Sequence, residues 1–426
     1  MLLLQAIDTL IILFLTHPLT TAFLVVALEV PRYTVAIFTV GISELRKKPP
    51  RSDNSRTVTA VVPVYNSGAE VFSSIQSLLN QTKPLHQIII VDDGGNAACL
   101  DQLHALARRH TTIQVLTHRS RAGKSAAINH GACLATGELL LTIDHDTCLD
   151  PEASHRLSQA FDDPDVAAAS GNLLVANQQR NTLTSLQSLE YMLSIGIGKR
   201  FLRYFSAISC CSGAFSMFRM SSFQRVGGLN VGPGEDLEIT LRLRQAGYKI
   251  SFVDDALGET TVPQTSTDIY RQRLRWDGDA LAIRVLMYRE LSFFRYGEPL
   301  ANTLQRLDYI FLELLPTLVF PFYLAWLWLT YGVAMFDILL AIYLLIFWLY
   351  AFNIVMAMVI TRRALNWLDL LVLPIMPLYQ GIVMRLVRFI AISDEIMFAR
   401  SQHDPYVPRR IRQEIYGYRA YESDTH

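Results

Sequence analysis

Apolar residues are segregated along this chain, and no other feature constrains its fold as much. They crowd into residues 9–43 and 307–392, while the stretch between has ordinary globular patterning. Residues 9–28 are nearly free of charge and long enough to cross a bilayer. Residues 29–43 are apolar too, but Glu29, Pro31 and Arg32 interrupt them, so the region is one long span or a tight pair. No basic leader or small-residue cleavage site is visible, which argues against a cleaved signal peptide. Residues 307–331 and 333–361 read as two further spans. Residues 367–392 read either as a third span or as an interface helix at 377–392, since Arg385 and Arg388 close the apolar run. Arg46, Lys47, Lys48 and Arg51 follow the first region, and Arg409, Arg410 and Arg412 lie in the tail. Basic clusters prefer the cytoplasmic side, which favours an even number of C-terminal spans. The expected plan is a membrane region at 1–45, a water-facing domain at 46–290, membrane and interface helices at 291–400, and a cytoplasmic tail at 401–426.

Charge excludes one class of partner. Lys+Arg and Asp+Glu both number 38, so no bulk positive charge is available for nucleic acid. The five cysteines are odd in number and form no C-x-x-C pair, which fits reduced thiols better than a disulfide framework or a zinc site.

From residue 57 the pattern becomes α/β. Residues 59–66, 88–92, 113–116, 139–143 and 166–175 read as strands, and 69–82, 97–109 and 126–135 as helices. Such alternation predicts a parallel sheet covered on both faces, with ligands beyond the carboxyl ends of its strands. Asp92, Asp93, Asp144 and Asp146 all fall at such ends. If the strand at 139–143 runs on, Asp144 and Asp146 share a face and His145 points away. Two hard oxygen ligands there suit Mg²⁺ or Mn²⁺ shared with substrate phosphates; a polar cap on a buried strand is the plainer alternative.

Further clusters follow. Arg119, Arg121, Gly123 and Lys124 form a basic loop before a helix, a place that attracts phosphate, although the spacing is not a Walker loop. Residues 183–205 are apolar at mixed helical spacing and end in Lys199, Arg200 and Arg203; they fit a membrane-surface helix or a core helix equally. Small residues collect at Cys210, Cys211, Ser212 and Gly213 and leave room for close approach to the backbone. Glu235 and Asp236 follow a Gly/Pro turn at a helix start, as an N-cap pair or a catalytic base. Gln272, Arg275 and Trp276 share one helix face, which suits a sugar diphosphate or a membrane-surface anchor.

Taken together, Asp92-Asp93, Asp144-x-Asp146, Glu235-Asp236 and Gln272-x-x-Arg275-Trp276 stand in a fixed order over residues 57–280. This set resembles the family 2 processive glycosyltransferases: the membrane-embedded cellulose, chitin, hyaluronan and poly-N-acetylglucosamine synthases. The resemblance implies a GT-A, Rossmann-like domain on the cytoplasmic face of a bacterial-type plasma membrane, joined to an α-helical transmembrane region. It implies inverting transfer from a UDP-sugar donor to a growing β-linked glycan acceptor, with export of the glycan among membrane lipids and accessory synthase or export subunits as possible partners. It assigns Tyr65 and Asp93 to the uridine, with Asp92 beside them, and Asp144 and Asp146 to the diphosphate and a Mg²⁺ or Mn²⁺ ion. It makes Asp236 the general base next to Glu235. It gives the diphosphate and acceptor sugar to Gln272, Arg275 and Trp276, a place near the donor to Lys124, and the acceptor-side loop to Cys211, Ser212 and Gly213. Two positions depart from the common pattern: His145 replaces a small residue between the acids, and Gly94-Gly95-Asn96 replaces Gly-Ser-Thr. Non-processive transfer of one sugar to a lipid carrier is the alternative within the same chemistry. A transporter and a silent scaffold subunit are the alternatives outside it.

Overall fold

A computed structural model describes residues 8, 11–12, 30–44, 56–230, 234–287, 299–364 and 366–403. The span expected at 9–28 lies almost wholly outside the described residues. So do the basic cluster at 46–51, the Gly232-Pro233 turn and the basic tail beyond 403. The first complete helix is α1 (Val30–Glu44).

The catalytic-sized middle of the chain folds around one sheet. Strand β1 (Val58–Val64) leads into α2 (Glu70–Leu79), β2 (Gln87–Asp92) into α3 (Ala97–Arg109), and β3 (Ile113–Thr117) into α4 (Lys124–Leu134), before β4 (Leu139–Ile143). Side chains alternate across each of these strands. Ala60, Val62, Ile88, Ile90, Leu139 and Leu141 enter the core on one face, and Val61, Ile89, Val91 and Leu140 enter the core on the other. Both faces are therefore dry, which is why these strands are near-continuous apolar runs. Truncating Leu141 to alanine removes fully buried volume and is expected to cost about 2–5 kcal/mol.

The sheet has eight strands in the order β3-β2-β1-β4-β7-β6-β8-β5. It continues through β5 (Thr147–Leu149), β6 (Val166–Val175), α5 (Thr182–Tyr191), β7 (Phe215–Arg219), α6 (Glu235–Gln245) and β8 (Lys249–Thr260). The expectation of an all-parallel sheet is corrected here. β3, β2, β1 and β4 run parallel, but β7 pairs antiparallel with β4 and β6, and β5 antiparallel with β8. A strand buried on both faces carries the same apolar signal in either direction, so its sequence does not report its sense. The reversal matters: pairing Ile143 with Phe215 sets the residues before β7 beside the residues after β4.

Helix α7 (Ser266–Leu281) leaves the sheet and leads to the apolar helices α8 (Leu315–Tyr331), α9 (Met335–Thr361) and α10 (Arg385–Phe398). Gly332, at φ +55°, separates α8 from α9 close to the expected boundary. Two helical stretches, Leu300–Thr361 and Trp367–Phe398, are long and apolar enough to cross a membrane. Only 33% and 44% of their most apolar windows are buried by the chain itself, less than a core helix requires. Phe322, Leu329, Trp348 and Val359 are exposed.

Residues 367–392 divide in their packing. Val372, Met376 and Tyr379 join a core with α9, whereas Val387 and Ala391 of α10 pack against Leu274 of α7. The ambiguous segment 183–205 packs as a core helix: Leu186, Leu189, Met192, Leu193 and Ile197 share that core with α1, α8 and α9.

Candidate active site

The site is a row of turns where the strands end. Asp92 and Asp93, at the end of β2, are 4% and 3% exposed, so both face inward. Asp92 Oδ1 accepts the Gly95 amide at 2.9 Å. Asp93 accepts the Ala122 and Gly123 amides at 2.7 Å each and lies 2.8 Å from His118 Nδ1. Gly123 turns at φ +94°, a left-handed angle that costs glycine little. The Asp93 carboxylate thus fixes the basic loop ahead of α4. Tyr65 remains 45% exposed, with the Arg121 guanidinium 4.1 Å from its ring centroid. The Tyr65 ring and the Arg121 guanidinium thus form an outward-facing stack, while Asp93 faces inward.

Lys124 opens α4 and reaches across the cleft. Its ammonium lies 2.5 Å from Asp144 Oδ1 and 3.5 Å from Glu235 Oε1, and donates to the Gly213 carbonyl at 3.3 Å. Burial works against its charge, yet Asp144 and Glu235 hold it above the ordinary lysine range. Three clusters far apart in sequence therefore meet on one cation.

The two metal-candidate acids are placed differently from the strand reading. β4 ends at Ile143, and residues 144–146 form a tight turn in which the Thr147 amide donates to the Asp144 carbonyl at 3.1 Å. Strand alternation therefore does not set their directions; the turn does. Burial and then the neighbouring Asp144 carboxylate push Asp146 above the usual carboxylate range. That crowding of like charge fits a hard divalent cation. Among the described residues, no cluster of three or more acidic, histidine or cysteine ligands is present. Asp144 and Asp146 would hold a divalent ion only together with oxygens from a ligand or water.

Asp236 stands at the first turn of α6. Its Oδ2 accepts the Gly213 amide at 3.1 Å and its Oδ1 accepts the Leu237 amide at 2.7 Å. Burial and then Glu235 raise its carboxyl, while Lys124 and the two amides oppose the rise. A Cβ on Gly213 would meet Lys124 Nζ at 3.1 Å and Asp236 Oδ2 at 3.5 Å, so a side chain there crowds both. Cys211 anchors the same loop through its amide, which donates to Thr240 Oγ1 at 2.9 Å. The antiparallel β4–β7 pairing brings this loop to the acids, with the Asp144 amide donating to the Ala214 carbonyl at 3.2 Å.

Gln272, Arg275 and Trp276 lie on α7, further toward the apolar helices. Trp276 is 36% exposed and has Arg273 4.7 Å from its ring centroid. A shallow recess of about 40 Å³ opens beside it, lined by Glu190, Arg273, Trp276, Asp277, Gln380 and Arg388 among others. Arg273 pairs with Glu190 at 2.8 Å, and Arg388 of α10 with Asp277 at 3.1 Å. No motif or spacing in the sequence singles out Glu190 or Tyr191. Burial pushes the Tyr191 phenol up to about 12, with Arg273 opposing the rise.

Parts of this chain are similar to known proteins. Residues 59–227 match the model of glycosyl transferase family 2, which ends ahead of Glu235, Asp236 and α7. The chain is 29% identical over 278 residues to an N-acetylglucosaminyltransferase of Rhizobium sp. (strain N33), covering 61% of this chain and 62% of that protein. It is 28% identical over 235 residues to a poly-beta-1,6-N-acetyl-D-glucosamine synthase of Staphylococcus aureus (strain COL), covering 54% and 57%. These matches thus span about six tenths of the relatives' own length. A mannosyltransferase from Pyrobaculum calidifontis, solved in complex with GDP-Man and Mn²⁺, superposes with a TM-score of 0.55 at 16% identity, over 88% of this chain and 99% of that one. At that identity the likeness speaks for the fold alone, a GT-A fold with a mixed sheet. The chain therefore carries a glycosyl transferase family 2 domain.

Proposed function

We propose that this protein is a membrane-bound inverting glycosyltransferase that extends a β-linked glycan from a UDP-sugar. The observation that carries the reading is Lys124, which draws Asp144, Glu235 and the Gly213 loop that holds Asp236 into one cleft. The names of the relatives favour UDP-N-acetylglucosamine as donor and poly-N-acetylglucosamine as product.

In this reading the Tyr65–Arg121 stack takes the uracil and Asp93 keeps the loop beneath it rigid. Asp144 and Asp146 hold Mg²⁺ or Mn²⁺, which, when bound, supplies positive charge to the diphosphate. Asp236 accepts the proton of the acceptor hydroxyl as its oxygen bonds to the anomeric carbon. The bond from that carbon to UDP breaks with inversion, so no covalent enzyme intermediate is needed. Lys124 and Arg275 offset the charge that UDP gains. Trp276 stacks on the terminal sugar and keeps the acceptor in place between additions. The Gln272-x-x-Arg275-Trp276 motif favours repeated addition over a single transfer to a lipid carrier. The exposed apolar helices make a bilayer the natural solvent for residues 300–398.

The test is nucleotide release by purified full-length protein in detergent, across a panel of UDP-sugars with and without Mn²⁺, with product length measured in parallel. Release with polymeric product supports the reading. Short products extractable into organic solvent favour the lipid-carrier alternative, and absence of release rejects both.

A further inference from the structure

The helix that follows β6 changes its winding before it ends. After Tyr191 the chain continues as a π-helical stretch, Met192–Lys199, and closes with Arg200–Arg203. Similar winding recurs at Ala282–Met287, Tyr309–Leu314 and Tyr379–Met384, so the winding alone marks no site; what distinguishes this stretch is the residue it turns inward. This one ends on Lys199, which is 4% exposed. The Lys199 ammonium donates to Ser212 Oγ at 2.7 Å and to Ser170 Oγ at 3.2 Å.

The partners are unusual for a buried cation. Among the described residues no carboxylate lies within ion-pair distance of Lys199, and the adjacent Arg200 and Arg203 both engage Asp254. Buried charges are normally paired, since leaving water uncompensated is costly. A neutral amide would serve two serine hydroxyls at a smaller desolvation penalty. A lysine makes physical sense there only if negative charge lies on the far side of what it holds.

That is the arrangement observed. Ser212 precedes Gly213, whose amide donates to Asp236 Oδ2 at 3.1 Å. The Ser212 amide in turn donates to Ser170 Oγ at 3.3 Å, so β6, Lys199 and the loop are fastened together. Beyond the loop stand Asp236, Glu235 and Asp144, with Lys124 among them. The field of Lys199 also reaches along the loop. Burial raises the Cys210 and Cys211 thiols, the latter to about 12, and Lys199 is the strongest influence opposing each rise.

The geometry points to Lys199 as a positioning residue for sugar transfer: it clamps the loop through Ser212 so that the Gly213 amide aims the Asp236 carboxylate, and its charge offsets the acids in front. Lys199 touches no substrate in this arrangement. The inference rests on the reading of Asp236 as the base.

The experiment uses full-length protein in detergent and follows UDP release from UDP-N-acetylglucosamine with Mn²⁺, with UDP affinity measured separately as a check on folding. Lys199→Met keeps the packing and removes the charge; kcat is expected to fall about 10- to 100-fold with the donor KM within about twofold. Lys199→Ala is expected to fall equally and to recover partly with propylammonium but not with butanol, because charge rather than volume is missing. Ser212→Ala, which creates almost no cavity, is expected to share the kcat loss. A Lys199→Met enzyme with kcat within about twofold of wild type overturns the inference, as does equal rescue by butanol. Asp236→Asn is run alongside. If wild type releases UDP and Asp236→Asn does not, failure of the Lys199 variants to slow turnover counts against Lys199 alone. If wild type releases none, or Asp236→Asn matches it, the reading of the site falls and the inference falls with it.

Discussion

The two ends of the cleft differ in charge balance. Around Lys124 the acids are in excess: Asp144, Asp146, Glu235 and Asp236 gather near one ammonium, and Asp146 and Asp236 are both pushed above the usual carboxylate range. Beside Trp276 the charges balance: Arg273 meets Glu190, and Arg388 meets Asp277. A balanced group of ions stabilises a surface, whereas an unbalanced one gains most when positive charge or a proton arrives. In the proposed function, chemistry belongs to the Lys124 end and holding to the Trp276 end.

The largest effect that separates the two is Asp236→Asn, expected to lower UDP release about 10²–10⁴-fold with UDP binding retained. Chelation of divalent ions follows, with a loss of roughly 100-fold, restored by Mn²⁺ and abolished as an effect in Asp146→Asn. The pH profile sharpens the same end. The base works ionised, and burial and Glu235 raise its carboxyl, so kcat is expected to fall as pH drops through a value above the ordinary carboxylate range. An acid limb at or below about 4 contradicts that environment. At the other end, Trp276→Ala removes a stacking surface worth about 0.5–1.5 kcal/mol, so products shorten while the rate of single additions changes little. The smallest effect on chemistry comes from Arg388→Met, which strands the Asp277 carboxylate; it is expected to cost about 1–3 kcal/mol in thermal unfolding and to leave Mn²⁺ dependence intact.

Legibility from sequence followed the same divide. Strands 139–143 and 166–175 and the helix at 97–109 were readable to the residue, because buried apolar runs and capped helices carry local signals. The acids were readable because carboxylates at strand ends are conspicuous. β7 and β8 were not, and neither was the antiparallel sense of β7, on which the meeting of Asp144 with the Gly213 loop depends. Direction is a property of long-range pairing, which no local pattern encodes. The turn at 144–146 was missed for a related reason: two acids one residue apart read alike at the end of a strand and in a tight turn. Lys199 was legible only as a charge at a helix end; the π-helical winding that turns it inward is a tertiary outcome.

The central claim is that acids assembled around Lys124 carry out sugar transfer from a nucleotide donor. UDP release from UDP-N-acetylglucosamine by wild type and by Asp236→Asn, each with Mn²⁺ and with UDP affinity matched, tests it most directly. The account predicts metal-dependent release by the wild type and loss of at least about 100-fold in the variant. Equal release by the two proteins would contradict it.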